Sequence, residues 1–216
     1  MPDKFNLELY VVTDRTWLNQ ATSGAKSLEE QVEQAIGGGA TLVQLREKTL
    51  TTGDFIQTAV NVKKVTDRYR IPLIINDRLD VALAVDAAGL HVGQSDMPAA
   101  TARRLLGPGK ILGVSVTTCS EALTAEQDGA DYLGAGAVFP TDTKKDSLVV
   151  DYQELKEITR AVGIPVVAIG GINEMNALML KGSGIQGIAV VSAIFSKNDI
   201  RAAAKTMKNL ATQVCL

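Results

Sequence analysis

The chain carries a polar run, Gln44-Leu45-Arg46-Glu47-Lys48, directly after the apolar pair Leu42-Val43. Alternate side chains of a strand share a face, so Gln44, Arg46 and Lys48 point one way and Leu45 and Glu47 the other. Two enclosed cations cost roughly several kcal/mol per uncompensated ion, so that face calls for a bound anion or an internal salt-bridge cluster. Two carboxylates stand at comparable points further on. Asp77 closes Ile74-Ile75-Asn76-Asp77, and Asp96 follows His91-Val92-Gly93-Gln94-Ser95. If these segments are neighbouring strands, about 4.8 Å apart, the two carboxylates converge on one cation. Mg²⁺ suits such a pair, because it keeps water and substrate phosphate oxygens as its remaining ligands. Alone, Asp96 would instead read as the N-cap of a helix entered through Met97-Pro98.

A second polar group lies toward the carboxyl terminus. Thr141-Asp142-Thr143-Lys144 follows Phe139-Pro140 and offers hydroxyls and a cation to an anion. Gly170-Gly171 and Val191-Ser192 each close an apolar run, where backbone N–H groups can cup a phosphate and Gly171 lets it approach. His91, the single histidine, sits inside a strand and reads as a packing residue rather than a catalyst. One histidine excludes multi-histidine metal sites, and Cys119 and Cys215 make neither a disulfide framework nor a C-x-x-C site.

The elements that must position these residues follow from periodicity. Short β-branched runs predict strands at Leu7–Asp14, Leu42–Lys48, Pro72–Asp77, Gly89–Gly93, Ile111–Val116, Tyr132–Phe139, Val166–Gly170 and Ile188–Ile194. Helical patterns lie between them, at Leu28–Ile36, Asp54–Arg68, Glu121–Asp128, Tyr152–Ala161, Glu174–Lys181 and Ile200–Leu210. Gly37–Ala40, Asp128–Asp131 and Gly182–Ile185 supply glycines for helix ends. Eight alternations in 216 residues predict an α/β fold, one (β/α)8 TIM barrel over residues 1–216, with an open doubly wound sheet as the alternative. Polar residues at strand ends then share one mouth. With 22 Lys+Arg against 24 Asp+Glu, the net charge of −2 gives no global basic field for nucleic acid or anionic lipid. No apolar run approaches the roughly 18 residues of a membrane span and no signal-type segment opens the chain, so a reducing, cytoplasmic location is expected.

The ordered set YVVTD at Tyr10–Asp14, VQLREK at Val43–Lys48, IINDR at Ile74–Arg78, GLHVGQSDMP at Gly89–Pro98, GVSV at Gly113–Val116, GADYLGAGAVFPTDTK at Gly129–Lys144, AIGGI at Ala168–Ile172 and VVSAI at Val190–Ile194 closely resembles the thiamine phosphate synthase family. The resemblance runs over nearly the whole chain. It implies a transferase that joins an aminopyrimidine methyl diphosphate to a hydroxyethylthiazole phosphate with release of pyrophosphate, using one Mg²⁺ per active site. By the same resemblance Gln44, Leu45, Arg46, Glu47, Lys48, Asn76, Ser115 and Lys144 bind the pyrimidine diphosphate, with Arg46, Lys48, Ser115 and Lys144 catalytic. Asp77 and Asp96 hold the metal, and Thr141, Asp142, Thr143, Gly171, Val191 and Ser192 hold the thiazole phosphate. Partners are therefore two phosphorylated small molecules, with neither nucleic acid nor membrane; assembly into a homo-oligomer is left open.

Two other functions fit a similar barrel. A thiazole tautomerase-like isomerase would need a general acid–base, and Thr117 stands where some relatives carry histidine. A non-catalytic barrel that binds thiamine precursors would not need both cations and the carboxylate pair. Lys145-Asp146 departs from the Pro or Ala common after the T-x-T-K motif.

Overall fold

The computed structural model describes residues 5–19, 25, 27–141 and 149–215. Its eight strands are β1 (Leu9–Val12), β2 (Leu42–Leu45), β3 (Leu73–Asn76), β4 (Gly89–Val92), β5 (Ile111–Val116), β6 (Tyr132–Ala135), β7 (Val166–Ile169) and β8 (Gly187–Val190). They pair in parallel in chain order, and β8 returns to β1 to close the barrel. Nearly every strand residue is buried, as a sheet covered on both faces requires.

Around the barrel lie α1 (Arg15–Asn19), α2 (Leu28–Gly37), α3 (Thr52–Arg68), α4 (Leu79–Ala84), α5 (Ala99–Leu106), α6 (Cys119–Gln127), α7 (Tyr152–Ala161), α8 (Ser192–Phe195) and α9 (Ile200–Val214). The side-chain hydroxyls of Ser27, Thr51 and Thr118, and the carboxylates of Asp151 and Asp199, cap α2, α3, α6, α7 and α9 by accepting a backbone N–H. Gly39 and Gly129 leave their helices in the left-handed region, as the terminal-glycine reading expects.

Four expectations need correction. Several strands end earlier than predicted, because ladder pairing stops where the polar rim begins; Arg46, Lys48, Asp77 and Phe139 belong to loops. The apolar run Ile188–Ile194 divides after Val190. Ala193, Ile194 and Phe195 lie in α8 and are buried there, since an apolar run serves a buried helix as well as a strand. Glu174–Lys181 forms only a 3₁₀ turn at Ala177–Leu180. There the Asn173 and Asn176 amides donate to the Gly171 carbonyl, and the Asn173 N–H donates to Asn176 Oδ1, so side chains take up bonds a longer helix would use. Helix α4, a short run of Leu, Val and Ala, was not foreseen, whereas α5 begins directly after the Met97-Pro98 entry weighed for Asp96.

Side-chain alternation divides the core into two layers. Outward residues such as Val43, Leu45, Ile75, Leu90 and Leu133 pack under the helices. Inward residues Tyr10, Leu42, Ile74, Ile111, Tyr132, Val167 and Ala189 fill the barrel. Tyr132 fits because a glycine on the neighbouring strand faces it. A methyl group on Gly113 would collide with the Tyr132 phenol and stand 2.5 Å from His91 Nδ1, and one on Gly89 would strike the Ile111 carbonyl. Gly113→Ala is therefore expected to destabilise the fold by about 1–3 kcal/mol through overpacking. Gly53→Ala in α3, where an added methyl meets nothing within 4 Å, should instead stabilise by about 0.4–1 kcal/mol. Urea denaturation of the two variants checks the opposite signs.

Candidate active site

The carboxyl ends of β2, β3 and β4 bring the first polar group together. Gln44 is buried on the inward face of β2, while Leu45 packs outward. Beyond the ladder, the Arg46 N–H donates to Thr13 Oγ1 at 3.0 Å, and its guanidinium lies 3.9 Å from an Asp14 carboxylate oxygen. Lys48 Nζ reaches Asp77 Oδ2 at 2.5 Å. Glu47 turns away from this cluster and is buried against Arg15, which donates to it from Nε and from Nη2 at 2.8 Å. Leu45 thus packs in the layer outside the barrel, as strand parity expects, and Glu47, beyond the end of β2, is held by Arg15.

Asp77 adopts a left-handed backbone, φ 59°, and its N–H donates to the His91 carbonyl at 2.8 Å. That bend ties the rim of β3 to β4 and sets Asp77 beside Asp96. Burial raises the Asp96 carboxyl above the usual range, and the Asp77 carboxylate next to it pushes the same way. Opposing this, Asp96 Oδ2 accepts the Gly93 N–H at 2.8 Å, and Lys48 is nearby. Asp96 does not cap a helix: α5 begins after Pro98 without a side-chain cap. Among the described residues no group of three or more His, Cys, Asp or Glu gathers as a metal cage. A pair of crowded carboxylates is nevertheless a suitable donor set for Mg²⁺, which takes one or two carboxylates and fills its other positions with water and phosphate oxygens.

Asn76, two residues beyond Ile74 on the inward face of β3, is buried, and its Nδ2 has no hydrogen-bond partner. An orphaned amide at that depth costs about 1–3 kcal/mol, so an acceptor supplied by a ligand would relieve it. Ser115, half-buried on β5, shares a hydrogen bond of 2.8 Å with His91 Nε2. The Gln94 amide donates to the Ser115 carbonyl at 2.7 Å and braces the two strand ends.

The second polar group gathers at β6 to β8. Gly171, φ 66°, approaches the preceding loop so closely that a Cβ would stand 2.5 Å from the Pro140 carbonyl oxygen. Thr141 is half-buried next to that contact in the chain, and Val191 and Ser192 stand where β8 turns into α8. Asp142, Thr143 and Lys144 lie outside the described residues. Thr117 donates its hydroxyl to Glu121 at 2.9 Å, an arrangement local to the start of α6.

One group escaped the sequence reading. Tyr10 and Tyr132 join hydroxyl to hydroxyl at 2.7 Å inside the barrel; Gln44 Nε2 donates to Tyr10 at 2.6 Å, and Tyr132 meets His91 Nδ1 at 2.9 Å. Burial raises both phenols well above their ordinary value, so both stay neutral. His91 is held on both ring nitrogens, as the packing reading expects, yet one of its partners is Ser115. The signal available in sequence was the inward parity of Tyr132, paired with glycine at position 113 of the adjacent strand.

The family model described as thiamine monophosphate synthase matches residues 9–194. A thiamine-phosphate synthase of Ruminiclostridium cellulolyticum is 55% identical over 207 residues, covering 96% of each chain. One from Clostridium beijerinckii is also 55% identical, over 97% of this chain and 98% of its own length. The solved thiamine phosphate pyrophosphorylase of Pyrococcus furiosus superimposes with a TM-score of 0.86 at 42% identity, covering 96% of both chains. A closed eight-stranded barrel, a charged mouth and full-length similarity at this level together show that the chain belongs to the thiamine monophosphate synthase family and is a transferase of thiamine biosynthesis.

Proposed function

We propose that this enzyme condenses an aminopyrimidine methyl diphosphate with a hydroxyethylthiazole phosphate to give thiamine phosphate and pyrophosphate. The carrying observation is the cluster of Lys48, Asp77 and Asp96 at the ends of β2 to β4, beside the inward amides Gln44 and Asn76. Such a cluster answers a diphosphate that departs with its charge. In this reading the bond from the methylene carbon to the diphosphate oxygen breaks, and both electrons leave with the pyrophosphate. The thiazole nitrogen then gives its lone pair to the pyrimidine-stabilised cation, forming the new carbon–nitrogen bond. No proton needs to move in either step.

The residues are assigned accordingly. Arg46, Lys48 and Lys144 hold the diphosphate and stabilise the charge it acquires, while Gln44, Asn76 and Ser115 orient the pyrimidine diphosphate, with Leu45 and Glu47 completing the binding segment Gln44 to Lys48. Thr141, Asp142, Thr143, Gly171, Val191 and Ser192 hold the thiazole phosphate; the first N–H groups of α8 lack intrahelical acceptors by helix geometry. Asp77 and Asp96 would hold Mg²⁺, which when bound neutralises charge on the diphosphate. The isomerase alternative gains no support from Thr117, whose hydroxyl donates to Glu121. A reducing, cytoplasmic setting belongs to the same reading: Cys119 and Cys215 are free, and among the described residues no helix is long and apolar enough to cross a membrane.

The direct test incubates the protein with both phosphorylated precursors and Mg²⁺ and measures thiamine phosphate and pyrophosphate; absence of both products sinks the proposal. Asp77→Asn and Asp96→Asn are each expected to lower turnover by about a hundredfold or more while thermal unfolding hardly moves. Asparagine suits the comparison because it tolerates the left-handed backbone at position 77. Turnover that survives a chelator, or near-normal rates in both variants, would remove the metal assignment.

Thr141→Ala separates the two anion sites. Loss of one hydroxyl should weaken the thiazole phosphate by roughly three- to tenfold and leave the pyrimidine diphosphate nearly unchanged. Separate calorimetric titrations read this, and equal weakening of both ligands would merge the sites.

A further inference from the structure

The hydrogen-bond chain through the barrel has a direction. Gln44 Nε2 carries hydrogens and no available lone pair, so toward Tyr10 it can only donate. The Tyr10 oxygen accepts that bond, which leaves its one hydrogen for Tyr132 at 2.7 Å. Tyr132 in turn accepts from Tyr10 and gives its one hydrogen to His91 Nδ1 at 2.9 Å. A ring nitrogen that accepts is unprotonated. The neutral imidazole therefore carries its proton on Nε2 and donates it to Ser115 Oγ at 2.8 Å. The Ser115 oxygen is then engaged as an acceptor, and its own hydrogen points elsewhere. The reverse direction fails at its last link, because the amide NH₂ of Gln44 cannot accept from Tyr10.

We infer that Tyr10 and Tyr132 are positioning residues that act through His91 to fix Ser115 as a one-way hydrogen-bond donor toward the barrel mouth. Ser115 is the half-buried end of the chain, whereas Gln44, Tyr10, Tyr132 and His91 are all buried. An unconstrained serine turns its hydrogen to suit any neighbour. This one is set in advance to meet an acceptor atom of the ligand, which lowers the ordering required on binding and discriminates against a donor placed there. That the ligand is the pyrimidine diphosphate rests on the proposed function; the direction of the chain does not.

The single histidine makes the direction measurable, because a protein labelled with ¹⁵N-histidine reports one imidazole. The expected wild-type spectrum, at a pH where the ring is neutral, shows a protonated Nε2 and an unprotonated Nδ1. A protonated Nδ1 would mean that His91 donates to Tyr132 rather than accepting from it, and it would overturn the inference without any variant having to fold. Tyr132→Phe removes the hydrogen given to Nδ1, so the Nδ1 resonance should move and the preference for the Nε2–H form should fall. A spectrum unchanged in this variant would also overturn the inference.

Binding supplies the second readout. Tyr132→Phe should weaken the pyrimidine diphosphate by roughly three- to tenfold, close to the effect of Ser115→Ala, and the double variant should bind within about twofold of Ser115→Ala alone. Additive losses would show that the phenol acts independently of the serine and would overturn the positioning role. If the wild-type tautomer is as expected but the protein binds no pyrimidine diphosphate, the direction stands and the proposed function is what fails.

Discussion

Closing eight parallel strands into a barrel forces every second side chain inward, and in this chain two of those side chains are tyrosines. A phenol cannot be buried among Leu42, Ile74, Ile111 and Val167 without a partner for its hydroxyl. Tyr10 and Tyr132 supply each other with one, and Gln44 and His91 complete the pair. Gly113 on β5 leaves room for the Tyr132 phenol, and Gly113 and Gly134 flank His91, so packing and hydrogen bonding are solved together at that side of the layer. From this layer the polarity of the interior is transmitted upward to Ser115, and apolar packing continues below it.

Charge is handled differently at the rim. Lys48, Asp77 and Asp96 sit where helices no longer cover the sheet, and each is partly open to solvent. Asp77 and Asp96 crowd one another, which favours a proton or a cation between them. Lys48 offsets part of that repulsion, and the Gly93 N–H holds Asp96 in place. A cluster with both signs of charge can accept a metal and a diphosphate together, because neither needs to be matched alone. The Glu47 carboxylate, one residue from Lys48, is paired instead with Arg15.

Much of the site was legible because period two and the ends of strands are local features. The inward Gln44, the outward packing of Leu45 and the approach of Asp77 to Asp96 follow from counting residues along strands whose order the barrel fixes. Gly171 was also legible: its left-handed backbone and its approach to Pro140 both demand glycine. Where local signals competed, the reading failed. At Asn173 and Asn176 a helical pattern loses to side-chain bonds on Gly171, and after Val190 an apolar run bends into α8, because hydrophobicity does not distinguish a strand from a buried turn of helix.

By itself, the amino-acid order determined the alternation of strands and helices, the parallel barrel and the face on which each strand residue lies, since these depend on periodicity and on the right-handed crossover of neighbouring units. Only the tertiary structure decided which hydroxyl meets which ring nitrogen. Tyr10, Gln44, His91, Ser115 and Tyr132 come from five different strands, up to 122 residues apart in sequence, and their partners are set by shear and closure rather than by any local pattern. A buried polar group reads in sequence as an exception to the core. Its role becomes definite when the barrel closes and brings side chains of distant strands within hydrogen-bond reach.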